Sequence, residues 1–527
     1  MRFASLAFAL STSALSETLL VPEEFFSIQE AIDASSTGDT ISVDEGYQEL
    51  GTIVVPDTSN AIIVKGRGKT GATIDAEGGV CVRSLALGVE FENITFTNAG
   101  YTGNPGLGGA VGDVSSGRFT DCRFVDCPGG AAVNINRNAL LNFDGCVFRN
   151  CTNDIGGAIR VDASLVPDSN TPWVSISSCV FEVCGGSSGG AVYLNGAEGS
   201  GPDREVQIDN CQFVGCTASG QFGGAVWSRS TDLVVSNTSF QSCTSAGDGG
   251  AICSKESGFD LHLLGCQFIS CSASVEGGAV KTDAQEVRVE SCTFQECSAN
   301  NGGGFYGGYS DSLITQSHFV GNSAVQLGGA CYAAGITFTS CTLDSNVSNA
   351  GAIYAPDFSC CGPSTVAGCD FLKNTSIASA GGAITGAALV SSSSFCEDTP
   401  GPFDSEVTDE GFNTFSETCS VVASCCLNSF CLTVDELTCL DAGGVLYVDE
   451  CDSNPCPQLG ACCTGNTIAC VSSTEQDCLR FGHVWNGVGS SCSDSPCPTP
   501  CEGDTSGNGD VGLTDLISVL SNWGPCP

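Results

Sequence analysis

Two half-motifs alternate along most of the chain with no helical periodicity between them, and together they predict an all-β fold, a right-handed parallel β-helix (solenoid) of about a dozen short coils. Small disulfide-rich modules and a short EF-hand-like tail are expected to follow it. The first half-motif is Cys-x-Phe-x-x-Cys, as in Cys122/Phe124/Cys127, Cys146/Phe148/Cys151, Cys179/Phe181/Cys184, Cys211/Phe213/Cys216, Cys266/Phe268/Cys271 and Cys292/Phe294/Cys297. Later copies place Asn at the last position, in Phe319/Asn322, Leu343/Asn346 and Phe371/Asn374. The second half-motif is Gly-Gly-Ala-Val or Gly-Gly-Ala-Ile, with its Gly pairs falling between the first motifs, for example at 156–157, 223–224 and 277–278.

Successive Phe (or Leu343) positions lie 24 to 33 residues apart. Each unit carries short alternating runs such as Val206-Gln-Ile208 and Val287-Arg-Val289, which read as half-buried strands. A unit of this length with strands and turn glycines cannot bury its own apolar face. Stacking on its neighbours solves the problem, each strand pairing in parallel with its equivalent about 4.8 Å away. Cys, Phe and the Ala-Val pairs then form internal ladders, and the Gly pairs take corners that need unusual φ.

The cysteine columns admit two readings. Equivalent residues on adjacent coils are close enough for disulfides, and the first column is compatible with 122–146, 179–211, 266–292 and 341–369. The second column holds seven Cys and cannot pair completely by itself. The alternative is that these are buried thiols acting as small hydrophobes.

The remaining segments follow in order. Residues 1–16, with Arg2 and an apolar run from Phe3 to Leu15, predict a secretory signal. The solenoid is expected over 17–396, a linker over 397–418, Cys-rich modules over 419–458 and 459–500, and a tail over 501–527. The modules open on Cys425-Cys426 and Cys462-Cys463 and look like a duplication, with six Cys each. An even total of 36 Cys behind a signal sequence implies an oxidising, extracellular or cell-surface setting. Asn93, Asn237, Asn346 and Asn374 open glycosylation sequons.

Charge narrows the partners. With 17 Lys and Arg against 59 Asp and Glu the net charge is −42, which excludes nucleic acid and anionic membrane surfaces as natural partners. No segment behind the signal reads as membrane-spanning, and a monomeric rod is expected. In the tail, Asp504, Ser506, Asn508, Asp510 and Asp515 fit the ligand positions of a Ca²⁺ loop, with Gly509 at the tight turn and Asp510 offering its carbonyl. Ca²⁺ is therefore the one cofactor expected.

Several stretches resemble known families. Phe25-Phe-Ser-Ile28-Gln29-Glu-Ala31-Ile32, then Ile62-Ile-Val64-Lys-Gly66 and Thr73-Ile74-Asp75, resemble the opening of pectate-lyase-like β-helix proteins, with a capping helix before a strand. The Phe-x-x-Asn and Gly-Gly-Ala-Ile alternation over roughly residues 100–395 resembles chlamydial polymorphic membrane proteins, with Cys at most Asn positions. That resemblance implies an adhesive role. The tail resembles one half of a type I dockerin.

Arg160, Asp162, Arg229, Lys281 and Asp283 follow the Gly-Gly-Ala strands at similar offsets and are the candidate ligand-binding residues on an outer strand face. Clustered Asp motifs of the polygalacturonase type are missing, and no Arg or Lys column repeats. The sequence thus predicts a secreted binding or adhesin-like rod for polysaccharide, extracellular matrix or another surface protein. A polysaccharide lyase or glycoside hydrolase of the pectate-lyase-like superfamily is the alternative.

Overall fold

A computed structural model describes residues 16–416 less 57–60, 85–87, 101–108, 113–116, 136–139, 163–172, 197–204, 257, 308–311, 333, 358–361 and 379–380, together with six strands between 422 and 488. The chain divides into two units, 1–418 and 419–527.

The first unit is a parallel β-solenoid. One coil illustrates the rest: strand Asp260–Leu264, strand Gln267–Ile269, strand Ser272–Ala273, the glycines at 277–278, then strand Val280–Thr282. Stacking of successive coils gives four parallel sheets, of 16, 15, 8 and 13 strands in that order around the coil. No register shift interrupts the Phe-bearing sheet, so its apolar residues fall in columns. From Phe96 to Phe319 the rings stack in one continuous column with centroids 4.5 to 5.0 Å apart. Near-parallel aromatic stacking adds about 0.5–1.5 kcal/mol per pair to the burial itself.

Two corners per coil bracket the Phe strand, and the residue at each corner has left-handed φ: Asn237 at 48° and Ser242 at 52°, Ser291 at 54° and Glu296 at 52°. This conformation costs an ordinary side chain about 1–2 kcal/mol, which explains Asn, Asp, Ser or Gly at most copies. Val183, at φ 53°, is the β-branched exception and is exposed.

The residue after each such corner points inward, and it belongs to one of the two cysteine columns. The structure holds these cysteines as buried thiols, the second of the two readings, and the 122–146, 179–211, 266–292 and 341–369 bridges of the first are not formed. Each sulfur instead joins coils through hydrogen bonds. Cys292 donates to the Leu263 carbonyl at 3.4 Å and accepts the Cys266 backbone N–H at 3.3 Å. Cys396, by contrast, is disulfide-bonded.

Where Asn replaces Cys the same two jobs are done with stronger groups. Asn322 Nδ2 donates to the Phe294 carbonyl at 2.8 Å, and its Oδ1 accepts the Cys297 N–H at 3.0 Å. Asn346 and Asn374 continue the ladder, fully buried, which closes both sequons to glycosylation in the folded chain.

The N-terminal end is capped by the helix Ile28–Ala34, whose Ser27 cap accepts from the Glu30 N–H and whose Ile28, Ala31 and Ile32 are buried. A strand, Thr18–Val21, precedes this helix and pairs with Thr40–Val43, which the sequence pattern did not indicate. At the other end the solenoid continues beyond residue 396. Val407–Gly411 and Thr414–Ser416 pair with the preceding coil, and Phe415 lies 5.5 Å from Phe395 in the ring column. The stretch expected as a linker thus supplies the last partial coil.

In the second unit, Val422–Leu427 is the central strand of one three-stranded antiparallel sheet and Leu459–Cys463 of another. The register sets Cys426 opposite Cys431 and Cys463 opposite Cys470, the same relation twice.

The Asn ladder ends on an acid. Asp398 Oδ1 accepts from both the backbone N–H and Nδ2 of Asn374 at 2.9 Å, while Oδ2 is buried without a partner. Burial, aided by the Asp344 charge, lifts its carboxyl from an ordinary 3.8 to about 6. The folded chain therefore favours the protonated form. That stabilisation is complete below about pH 4 and is lost as pH rises through 6, a difference of about 2–3 kcal/mol. Asp398→Asn is expected to raise the urea midpoint at pH 8 and to flatten its pH dependence between 4 and 8. The column thiols are expected to resist iodoacetamide in the folded protein and to be alkylated after unfolding without reductant. Mass spectrometry of the two samples checks this.

Candidate functional site

The Gly-Gly-Ala sheet carries the chemistry. The positive φ of the first glycine (65° at Gly277, 61° at Gly223) folds the chain back so that an added Cβ would strike the strand it introduces. At Gly277 that Cβ would lie 2.2 Å from the Val280 carbonyl oxygen and 2.8 Å from Lys281 N. The corner is thus pressed against the following strand, whose side chains alternate between the core and the outer face. Register aligns two outer columns. One runs Arg160, Tyr193, Trp227, Cys253, Lys281, Tyr306, Tyr332, Tyr354. The other aligns Asp162, Asn195, Arg229 and Lys255.

Aromatic rings occupy two zones of the first column. Tyr193 and Trp227 stack at 4.4 Å, and Tyr306–Tyr332–Tyr354 stack at 4.5 and 5.2 Å. Between them lies a charged cluster. Lys255 Nζ is 3.0 Å from Asp248 and 3.8 Å from Asp283, and sits 4.7 Å over the Phe222 ring. Lys281, buried, pairs with Asp283. Burial opposes the charge on Lys255, yet its neighbours, the hydrogen-bonded Asp248 carboxylate among them, outweigh it and hold the ammonium above its ordinary range. Burial pushes Cys253 up to about 12, so it is a protonated thiol at neutral pH.

Asp248 and Glu276 occupy successive coils just before the glycines, the Gly249 N–H donating to the Glu276 carbonyl. Burial raises the Glu276 carboxyl and Asp248 raises it further, while the Lys281 charge, a hydrogen bond from Tyr306 and the Lys255 charge work the other way.

The five residues singled out from sequence all lie on or beside this strip, but not as one centre. Arg160 and Asp162 pair at 3.0 Å, with Asn195 donating to Asp162 at 2.9 Å. Arg229 pairs with Glu256, one coil on. Lys281 and Asp283 belong to the charged cluster, four coils or about 19 Å from Arg160. Sequence reading missed Lys255, Asp248, Glu276 and the aromatic ladder. Reading the one outward offset after every Gly pair as a column exposes the Tyr and Trp run. Asp248 and Glu276 needed the coil-to-coil register. The Ca²⁺ positions Asp504, Ser506, Asn508, Asp510 and Asp515 lie outside the described residues. Among the described residues no group of three or more His, Cys, Asp or Glu is arranged to hold a metal ion.

Residues 51–240 and 165–371 match the family model for the right handed beta helix region. The chain belongs to this right-handed β-helix family. Its members share the architecture, so the match accounts for the coils and not for the strip. No curated protein sequence matches the chain. Among solved structures, the catalytic unit of a thermostable GH87 α-1,3-glucanase from Streptomyces thermodiastaticus strain HF3-3 aligns over 80% of this β-helix chain and 73% of its own, at 13% identity and TM-score 0.35. Tailspike protein 3 of bacteriophage CBA120 aligns over 75% and 59%, at 13% identity and TM-score 0.32. A PL6 alginate lyase solved with a trisaccharide aligns over 84% and 94%, at 10% identity and TM-score 0.30. In the β-helix chain itself, no helix among the described residues is long and apolar enough to cross a membrane.

Proposed function

We propose that this β-helix is a secreted or cell-surface binding protein that grips a polysaccharide along the outer face of its Gly-Gly-Ala sheet. The observation that carries the reading is the aromatic column, Tyr193–Trp227 and Tyr306–Tyr332–Tyr354, running beside fixed polar pairs such as Asp162–Asn195. The partly exposed tyrosines, with the more deeply set Trp227, offer flat apolar surface to sugar rings, and anchored amides, carboxylates and guanidinium groups serve the hydroxyls. Extracellular matrix glycans and glycosylated surface proteins present the same chemistry. The tail, through Asp504, Ser506, Asn508, Asp510 and Asp515, is proposed as a Ca²⁺-dependent attachment segment.

Trp227→Ala and Tyr332→Ala are each expected to weaken polymer retention about tenfold in affinity electrophoresis, a loss of about 1.4 kcal/mol. The same substitution at exposed Phe26, on the capping end, is expected to leave retention unchanged.

One observation favours a second reading, glycoside hydrolysis. Glu276 has a raised carboxyl beside Asp248, the kind of division of labour in which one carboxyl donates a proton and the other stays ionised. Lyase chemistry fits less well, because a lysine base must be neutral and Lys255 is held protonated. A hydrolase releases new reducing ends from a retained polymer, and Glu276→Gln is then expected to abolish release while keeping retention. The binding reading expects retention with no new ends in either protein.

A further inference from the structure

We propose that the polymer held by this strip is an uncharged, hydroxyl-rich hexose chain and not a polyuronate; the inference rests on the binding reading above. The strip is rich in cations, and a cationic groove would ordinarily point to an acidic glycan. Here every cation already has an anion. Arg160 is committed to Asp162, Arg229 to Glu256, Lys255 to Asp248, and Lys281 to Asp283. Glu276 is a fifth carboxyl, near Lys281 and Lys255 but in no ion pair with either, so four cations stand against five carboxyl groups.

Arg160–Asp162 and Lys255–Asp248 are recessed, as is the lysine of Lys281–Asp283, while Arg229–Glu256 is more open. The Lys281 and Asp162 side chains are 4% and 10% exposed, where water screens little and a displaced partner is left in poor solvent. A uronate entering the strip must break one of them and bring its own charge beside Asp248, Glu276 and Asp283. The net charge of −42 adds a repulsive far field.

Hydrogen-bond valence points the same way. Trp227 Nε1 and Asn301 Oδ1, on either side of the charged cluster, are buried and have no partner. The first is a donor and the second an acceptor. A sugar hydroxyl answers both after a small side-chain rotation, since it donates and accepts. A carboxylate only accepts, so on a uronate the ring hydroxyls alone can answer Asn301, whereas every free hydroxyl of a neutral hexose chain can. Trp227 and Tyr306 stand three coils apart, about 14 Å, so aromatic surface flanks the cluster on both sides along one line. An extended glycan lying along the coil axis meets ring, charged pairs and ring in turn.

The test runs the full chain in native gels cast with a neutral β-glucan, a neutral α-glucan, a galactomannan, alginate or polygalacturonate, each at 20 mM and 500 mM NaCl. Retardation by at least one neutral polymer, unchanged by salt, with none by the uronates, is the expected result. Trp227→Phe, which keeps the ring and removes the donor, is expected to weaken the neutral retention several-fold. Asp248→Asn with Glu276→Gln, checked for folding by circular dichroism, is expected to admit polygalacturonate at low salt. Retardation of the native sequence by a uronate, weakened by salt, overturns the inference and leaves the binding reading standing. No retardation by any of the five polymers overturns both.

Discussion

Everything in the solenoid depends on how one coil is tied to the next at its corners. Between the backbone ladders of the sheets, the chain turns through a left-handed residue and loses the regular pairing, leaving N–H and C=O groups that must find partners one rung away. The residue after the turn points inward and bridges those groups. Its acceptor takes an N–H of the preceding coil, and in Cys292 and Asn322 its donor also serves a carbonyl of that same coil. Cys292 does so through one sulfur, Asn322 through the two ends of an amide, and Thr238 through its hydroxyl, which donates to the Ser236 carbonyl within its own turn and accepts the Cys211 N–H. From Cys122 onward this requirement explains why Cys, Asn, Ser and Thr substitute for one another in these columns; the coil before it, with Ile94 and Ala99 at these positions, packs them as plain apolar residues. It also explains why the cysteines stay thiols. A disulfide would take the sulfur's proton and with it the bond to the preceding coil.

The coil architecture was legible in the sequence because each physical requirement recurs once per turn. Phe stacks only on a residue of like shape, the corner needs φ near 50°, and the Gly pair needs a corner that a Cβ would obstruct at 2.2 Å. Repetition turned those needs into a visible spacing. What escaped was whatever occurs once. The opening strand Thr18–Val21, though it pairs with Thr40–Val43, is cut off from the repeat by the capping helix and, like the closing strands Val407–Gly411 and Thr414–Ser416, lacks the Cys and Gly marks. Asp398 reads as a linker acid until it is seen at the end of a ladder of amides. The oxidation state of the columns lay outside sequence reasoning altogether, because rung spacing permits a bridge without requiring one.

The candidate site was only half legible, for a related reason. Arg160, Asp162, Arg229, Lys281 and Asp283 lie close behind a Gly pair, so their shared face could be inferred from an offset. Their partners could not. Lys255 shares the offset of Asp162 and Arg229 and was passed over, while Asp248 and Glu276 stand just before the glycines, at a position that varies from Phe222 to Asn301 along the column. Side-chain pairing across coils depends on loop lengths that differ from coil to coil, and no local pattern encodes it.

A solenoid also makes its departures from repetition informative. The inward columns are uniform because packing at one rung fixes the next; the Phe column tolerates a single Leu343 among its copies from Phe96 to Phe395. The outward column after the Gly pairs is under no such constraint, yet it is not random surface. It groups rings with rings and surrounds a buried lysine with carboxylates, at positions where any small polar side chain would have served the fold. Burying Lys281 costs desolvation that its pair with Asp283 at best offsets, and leaving the Trp227 N–H without a partner costs more. Neither cost is repaid within the coil. Unpartnered buried atoms occur elsewhere too, at His262 Nε2 and Asp398 Oδ2, but among the described residues only on this strip do they coincide with a column of stacked rings and a buried lysine.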